Sequence, residues 1–206
     1  MNPLKRRILD LSFKHKLSHI GSCLSAVDTI DKIYSIKKND EPFILSNGHA
    51  GLALYVVLEK YEGHNAEELI EKHGVHPNRD MEHGIWCSTG SLGHGLAIGV
   101  GMAFADRKRL VHIVTSDGEC AEGSIWEALA IARKYQLENL RIAIIGNGYS
   151  AYDDVDITDL DNRINSFYPC LMVRTNMYAY PDFLQGLNAH YVVMNEEQYK
   201  EAINEF

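Results

Sequence analysis

Two short apolar runs, starting thirty residues apart, constrain this chain more than any other feature. Leu110 to Thr115 (LVHIVT) and Leu140 to Ile145 (LRIAII) are β-branched and largely apolar, and each stops at a glycine turn, Ser116-Asp117-Gly118 and Gly146-Asn147-Gly148. Runs of this length and composition, closed by turn residues, read as buried strands. Between them Ile125, Leu129, Ala132 and Tyr135 recur at helical spacing, which predicts a helix from Glu122 to about Gln136. Strand, helix and strand in this order form a β-α-β unit, whose strands are parallel neighbours in one sheet.

Asp117 and Asn147 then lie just past the carboxyl ends of parallel strands, the edge of an open α/β sheet where ligands sit. A carboxylate and an amide oxygen flanked by glycines suit a hard divalent cation such as Mg²⁺, which completes its shell with phosphate oxygens and water. The glycines let the backbone approach a phosphate closely. Taken singly, Asp-Gly and Asn-Gly are ordinary turns. The pair on one β-α-β unit is what favours a metal.

The rest of the chain alternates in the same manner. Helices are expected at about 3–16, 24–36, 48–61, 65–73, 92–107 and 180–188, with a last one ending at Phe206. Strands are expected at FILS, near Cys170 to Arg174, and at HYVVM, and a polar loop at YSAYDDVDITD. This predicts one α/β domain over residues 1–206, a doubly wound, mainly parallel sheet with helices on both faces. HGVHPNRDMEHGIWCSTG, with no evident periodicity, is long for an idle loop inside a compact domain.

A net charge of -8 argues against a nucleic-acid backbone as main partner. It leaves room for a phosphorylated ligand, because helix N-termini and a metal supply local positive field. No segment approaches the ~20 apolar residues of a membrane span, and the basic, charge-broken start MNPLKRRILDLSFKHK does not read as a signal peptide. Cys23, Cys87, Cys120 and Cys170 show no Cys-x-x-Cys spacing, so reduced thiols in a cytoplasmic protein are expected.

Other glycine-rich segments are weaker signals. GSLGHGLAIGVGMA (90–103) opens a helix with glycines, which suits an anion, but it lacks the leading strand and third glycine of a dinucleotide fingerprint. His49 in LSNGHA, His19 in LSHIGS and His76 in VHPN each sit in a turn and would singly be solvent-exposed imidazoles. They lack zinc-ligand spacing.

Taken in order, LSHIGS, LSNGHA, HPN, GSLGHG, SDGECAEGSIWEALA and NGYS resemble the thiamine-diphosphate-binding half of the transketolase family, over roughly residues 5–155. The chain is most similar to the split form, in which the two halves are separate subunits. The resemblance implies the thiamine-diphosphate-binding fold, with Asp117, Asn147 and the Tyr149 carbonyl as ligands of Mg²⁺ or Ca²⁺. It implies Gly118 and His49 at the diphosphate, and Gly90 and Leu92 at the aminopyrimidine ring. His19 and His76 would face substrate hydroxyls and move protons, for which imidazoles are suited. Glu122 and Glu127 would link the two active sites of a dimer, Glu122 beside the cofactor. The implied reaction moves a two-carbon ketol unit from a ketose to an aldose acceptor. The implied partner is a separate pyrimidine-binding subunit, in a two-plus-two heterotetramer, without which the chain is inactive.

Departures from the family pattern are Ser116 before the metal Asp-Gly, Gly146 before Asn147, and the bulky Tyr149. The family half also extends past a further substrate-facing histidine. Here only His190 follows His112, and as the start of a predicted strand it does not match. Two other readings stay open, a thiamine-dependent carboligase acting on a sugar outside the pentose phosphates and a non-catalytic cofactor-binding subunit. Resemblance to deoxyxylulose-phosphate synthases is weaker, because EGSIWEA fits the transketolase pattern better.

Overall fold

The computed structural model of the chain describes residues 2–150, 153–176 and 179–205. Its centre is a parallel sheet of β1 (Phe43–Leu45), β2 (Val111–Ser116), β3 (Leu140–Gly146) and β4 (Leu171–Arg174), paired in sequence order. The register sets Ile44 beside Ile113, Ile113 beside Ile142, and Ser116 beside Ile145. The carboxyl ends of β2 and β3 therefore finish almost level. The predicted β-α-β unit is present, with α6 (Gly123–Lys134) as its crossover.

Side-chain alternation gives the sheet two apolar faces. On one, Ile44, Ile113, Ile142 and Ile144 pack with α5 (His94–Ala105), α6 and α7 (Ile157–Phe167). On the other, Phe43, Leu45, Val114, Ala143 and Ile145 share a core with α1 (Pro3–His15), α2 (Ile20–Tyr34) and α3 (Gly51–Glu62). Helices cover both faces, as expected. The strands run in sequence order, and α1, α2 and α3 close the second face.

Local chemistry explains the helices. Asn2 caps α1 by accepting the Leu4 N–H at 2.9 Å, with Pro3 in the first turn, and Leu4, Ile8 and Leu11 form its buried stripe. Leu52 to Leu58 of α3 are all buried, so that helix is apolar all round. Next comes α4 (Ala66–His73), where the Asn65 side chain accepts the Glu67 N–H. The last helix, α8 (Glu196–Glu205), starts with a reciprocal cap in which Asn195 and Gln198 exchange backbone-to-side-chain bonds at 3.0 and 2.9 Å. It is tied to α1 by the Phe13–Tyr199 stack and a 2.7 Å bond from Tyr199 O–H to Asp10.

Three expectations are corrected. Residues 157–167, part of which the sequence presents as a polar loop, form α7, capped by Asp156 and buried only through Leu160 and Ile164. Ile157, Leu160, Ile164 and Phe167 do recur at helical spacing there, but four apolar residues among acidic and polar neighbours are easily taken for the end of a loop. The helix expected at 180–188 is two 3-10 turns, Asp182–Leu184 and Leu187–Tyr191, separated at Gly186 with φ of 73°. The strand expected at HYVVM is absent: His190 and Tyr191 close the second turn and Met194 is buried in the helical core. Among the described residues no helix is long and apolar enough to cross a membrane.

Candidate active site

A cavity of about 170 Å³ opens at the carboxyl ends of β2 and β3. Asp117 sits at its floor with 2% of its surface exposed. Its Oδ1 accepts the Gly118 N–H at 2.9 Å, and its Oδ2 accepts the Asn147 and Gly148 N–H groups at 3.0 and 2.7 Å. Burial nevertheless pushes the carboxyl up to about 6, against these three stabilising donors. The Asn147 side-chain oxygen accepts the Tyr149 N–H at 2.9 Å, which turns the chain back across the site. A Cβ on Gly118 would lie 3.2 Å from Ser150 Cα and 3.8 Å from the Tyr149 carbonyl oxygen. A carboxylate, an amide oxygen and a backbone carbonyl thus lie on adjoining turns at this end of the cavity, and oxygen donors are what a hard cation takes.

Around this floor stand imidazoles. His19, the N-cap of α2, has a φ of 62°, a region that non-glycine residues rarely adopt. Two contacts hold it there: its N–H donates to the His190 carbonyl at 3.2 Å, and Ser18 Oγ lies 2.7 Å from its Nδ1. The His19 ring is 5.4 Å from that of His49, 6.3 Å from that of His76 and 4.7 Å from that of His190. Burial, reinforced by neighbouring imidazoles, holds His19 at about 4 and His49 at about 3. Burial also lowers His190. These rings are neutral near pH 7.

His190 is the correction of greatest consequence. The sequence pattern puts it at the start of a strand and away from the site, but the 3-10 turn Leu187–Tyr191 brings it into the cavity lining, 5.5 Å ring to ring from His49. Pro181 and Gly186, which punctuate that segment, are the available signal.

His19, His49, Leu92, Asp117, Gly118, Glu122, Asn147 and Tyr149 all line the cavity. His76 and Gly90 stand together beside it, since a Cβ on Gly90 would lie 2.8 Å from His76 Cδ2. Glu127 is outside, on the exposed face of α6. Two further residues are not foreseeable from the sequence. Asn47 lines the cavity, and its Oδ1 is buried without a hydrogen-bond partner, so a ligand donor has a ready acceptor there. Glu119 is completely buried. Its Oε1 accepts from Ser46 Oγ and the Gly93 N–H, each at 2.8 Å, and its Oε2 accepts from Thr115 Oγ1 at 2.6 Å. One carboxylate therefore fastens LSNGH, GSLGHG and SDGEC to one another. A buried glutamate in a polar turn has no sequence signature.

The family model for the transketolase thiamine diphosphate binding domain matches residues 19–170. The chain belongs to this transketolase family. Among curated relatives it is 36% identical over 162 residues to one of the subunits of the apulose-4-phosphate transketolase of Phocaeicola vulgatus, covering 68% of this chain and 57% of that protein. It is 28% identical over 222 aligned residues to the 6-deoxy-6-sulfo-D-fructose transketolase subunit SqwG of a Clostridium species, covering 98% and 78%. The chain thus spans less than two thirds of the length of the Phocaeicola relative. The fold matches the transketolase of Campylobacter jejuni with a TM-score of 0.77 at 22% identity, over 97% of this chain and 41% of that one.

Proposed function

We propose that this one-domain chain is the diphosphate-binding subunit of a two-subunit, thiamine-diphosphate-dependent ketol transferase. The observation that carries the reading is the make-up of the cavity. Among its described lining residues there is no lysine or arginine, the histidines with lowered pKa are neutral, and Asp117 and Glu122 are acidic. A diphosphate entering alone would meet no positive side chain. Mg²⁺ or Ca²⁺ on Asp117, Asn147 and the Tyr149 carbonyl would compensate its charge, and the first turn of α2, which lines the same cavity, adds helix-dipole field. The residues fit the cofactor.

When bound, thiamine diphosphate supplies the carbanion chemistry, and the chain binds, orients and moves protons. Gly118 and His49 hold the diphosphate end, Leu92 and Gly90 border the ring end, and Glu122 stands beside both. His19, His76 and His190 are placed to exchange protons with the hydroxyls of a ketose donor and an aldose acceptor.

A separate chain carrying the pyrimidine-binding half is the proposed partner, in a two-plus-two assembly. Ile98 and Phe104 on α5, Ile131 on α6 and Tyr135 at its C-cap remain exposed, and the Phe104 and Tyr135 rings meet at 4.9 Å, a surface suited to burial against another chain. Glu127 on exposed α6 would lie at that contact. Four free thiols, three of them buried, suit a reducing cytoplasm. The two relatives described above are named for apulose 4-phosphate and 6-deoxy-6-sulfo-D-fructose, which favours a sugar other than the common pentose-phosphate intermediates here too. The test is a calorimetric titration of thiamine diphosphate with and without Mg²⁺, beside a turnover assay of the chain with and without the pyrimidine-half subunit. Metal-independent binding, or full turnover by this chain alone, would remove the proposal.

A further inference from the structure

Outside the cavity, three imidazoles and three carboxylates meet where the end of α3, the last turn of α4 and the 3-10 turn Met81–His83 come together. Asp80 is their hub. Its backbone is fixed by an isolated bridge to Ile85, with N–H to carbonyl bonds of 2.8 and 2.9 Å in the two directions. Its Oδ2 lies 2.8 Å from His83 Nδ1 and 3.3 Å from His73 Nε2. Ligating atoms of Asp80, Glu82 and His83 fall within 4.8 Å of one another. The His64 ring stands 4.8 Å from that of His83, with Glu62 at 3.6 Å from His64 Nε2.

His73 makes this more than an ion-pair cluster. Its side chain is 3% exposed, yet its Nε2 has no hydrogen-bond partner although it faces Asp80. A buried, unpaired imidazole nitrogen costs free energy unless something takes up its lone pair or its proton. A neutral imidazole offers such a nitrogen as a metal ligand. Metal–ligand bonds of ~2.0–2.1 Å in a tetrahedral site place neighbouring ligand atoms about 3.3–3.4 Å apart, the separation of His73 Nε2 from Asp80 Oδ2. A cation already occupies the carboxylate: Lys72 Nζ is 2.6 Å from Oδ2, on a side chain half exposed to solvent and free to withdraw.

We propose that Asp80, Glu82 and His83 bind a divalent ion of the zinc type, with His73 turning in beside Asp80 as the fourth ligand. The mix of imidazole and carboxylate suits zinc better than Mg²⁺. The ion would pin α4 to the irregular segment that carries His76 and Gly90. This site is separate from the cofactor cavity and does not depend on its function.

The test uses the untagged full-length chain, stripped with EDTA, reloaded with zinc and passed through a desalting column before elemental analysis. Wild type and Asp117→Ala should each retain one zinc, whereas His83→Gln and Asp80→Asn should retain none. Zinc should raise the thermal midpoint of wild type and leave that of His83→Gln unmoved. Co²⁺ in place of zinc should give the visible absorption of a tetrahedral site, lost in the same variants. Lys72→Ala should bind zinc at least as tightly as wild type, and His73→Gln ~tenfold or more weakly. Should Asp80→Asn or His73→Gln fail to fold, the partly exposed His83 decides the matter. Zinc retention by His83→Gln equal to wild type, or none by wild type, overturns the proposal.

Discussion

The buried Glu119 carboxylate accepts the Gly93 N–H at 2.8 Å, and through this bond the turn after β2 fixes the turn that opens α5. With Ser46 Oγ on the same oxygen and Thr115 Oγ1 on the other, the walls of the cavity share one anchor. Glu119 lies behind the cavity and is not among its described lining residues, so it acts through these turns as a positioning residue.

Removing it should be expensive. Glu119→Ala strands several buried donors, each costing about 1–3 kcal/mol when unpaired, so a loss of about 3–5 kcal/mol in denaturant unfolding is expected. Glu119→Gln keeps one oxygen for Ser46 and Gly93, and Thr115 can rotate its hydroxyl toward the new amide. A loss of about 1–2 kcal/mol is expected there. Equal losses in the two variants would show that side-chain volume, not hydrogen bonding, is what matters at this position.

Asp117 gives a pH signature. Its folded-state pKa is raised from 3.8 to about 6 by burial, so the stability it contributes is fully present below pH 3.8 and lost as pH rises through about 6. The change is on the order of 3 kcal/mol for the cofactor-free chain. Asp117→Asn should flatten the stability difference between pH 4 and pH 7 by most of that amount in urea titrations. The same variant should lose metal-dependent cofactor binding, as should wild type in excess EDTA. An unaltered pH dependence would mean that water reaches this carboxylate freely.

Two glycines should respond in opposite directions. A Cβ at Gly48 would lie 2.6 Å from both Gly90 N and Thr89 C, backbone atoms that cannot yield cheaply. Gly48→Ala should cost about 1–3 kcal/mol and weaken cofactor binding by shifting the turn that carries His49. At Gly101, on the exposed face of α5, a Cβ meets nothing within 4 Å. Gly101→Ala should stabilise the isolated chain by roughly 0.5–1 kcal/mol through helix propensity. If that face docks the partner subunit, the same change should weaken assembly, which light scattering of the mixed subunits would detect.

How much of this is legible in the sequence depends on periodicity. β2, α6 and β3 are readable because buried strands and a one-sided helix leave strong apolar patterns, and their turns place Asp117 and Asn147 at one edge. α7 is not, since Leu160 and Ile164 carry its burial among residues that are mostly polar and exposed. HYVVM misleads in the other direction: its apolar residues serve a turn held by His19 and a burial at Met194, with no strand to pair with. Asn47 and Glu119 are illegible for a different reason, because burial of a polar side chain is a property of the assembled fold.

The final prediction concerns His190, whose place in the cluster changes what is expected of its neighbours. Its carbonyl holds the His19 N–H, and that backbone bond survives truncation of the ring, so His190→Ala isolates the imidazole itself. If the ring exchanges protons with substrate, turnover should fall by about 10²–10⁴ while cofactor affinity stays near wild type. His19→Ala and His76→Ala should behave likewise, whereas His49→Ala should show first in cofactor binding. A purely structural His190 would instead lose about 1 kcal/mol of stability with little change in rate. The pH profile adds an independent check. The depressed pKa of His19, about 4, and the lowered one of His190 mean that the stability they contribute is present above 6.5 and lost as pH falls toward 4. The rate of the assembled enzyme should accordingly be flat around neutrality, with its acid limb well below pH 6.5, and His190→Ala should reshape that limb. Single-turnover rates from about pH 4.5 to 8, beside cofactor affinities for the four histidine variants, measure both. Were His190→Ala to match wild type in rate and in profile, the imidazole would be packing against His19 and nothing more.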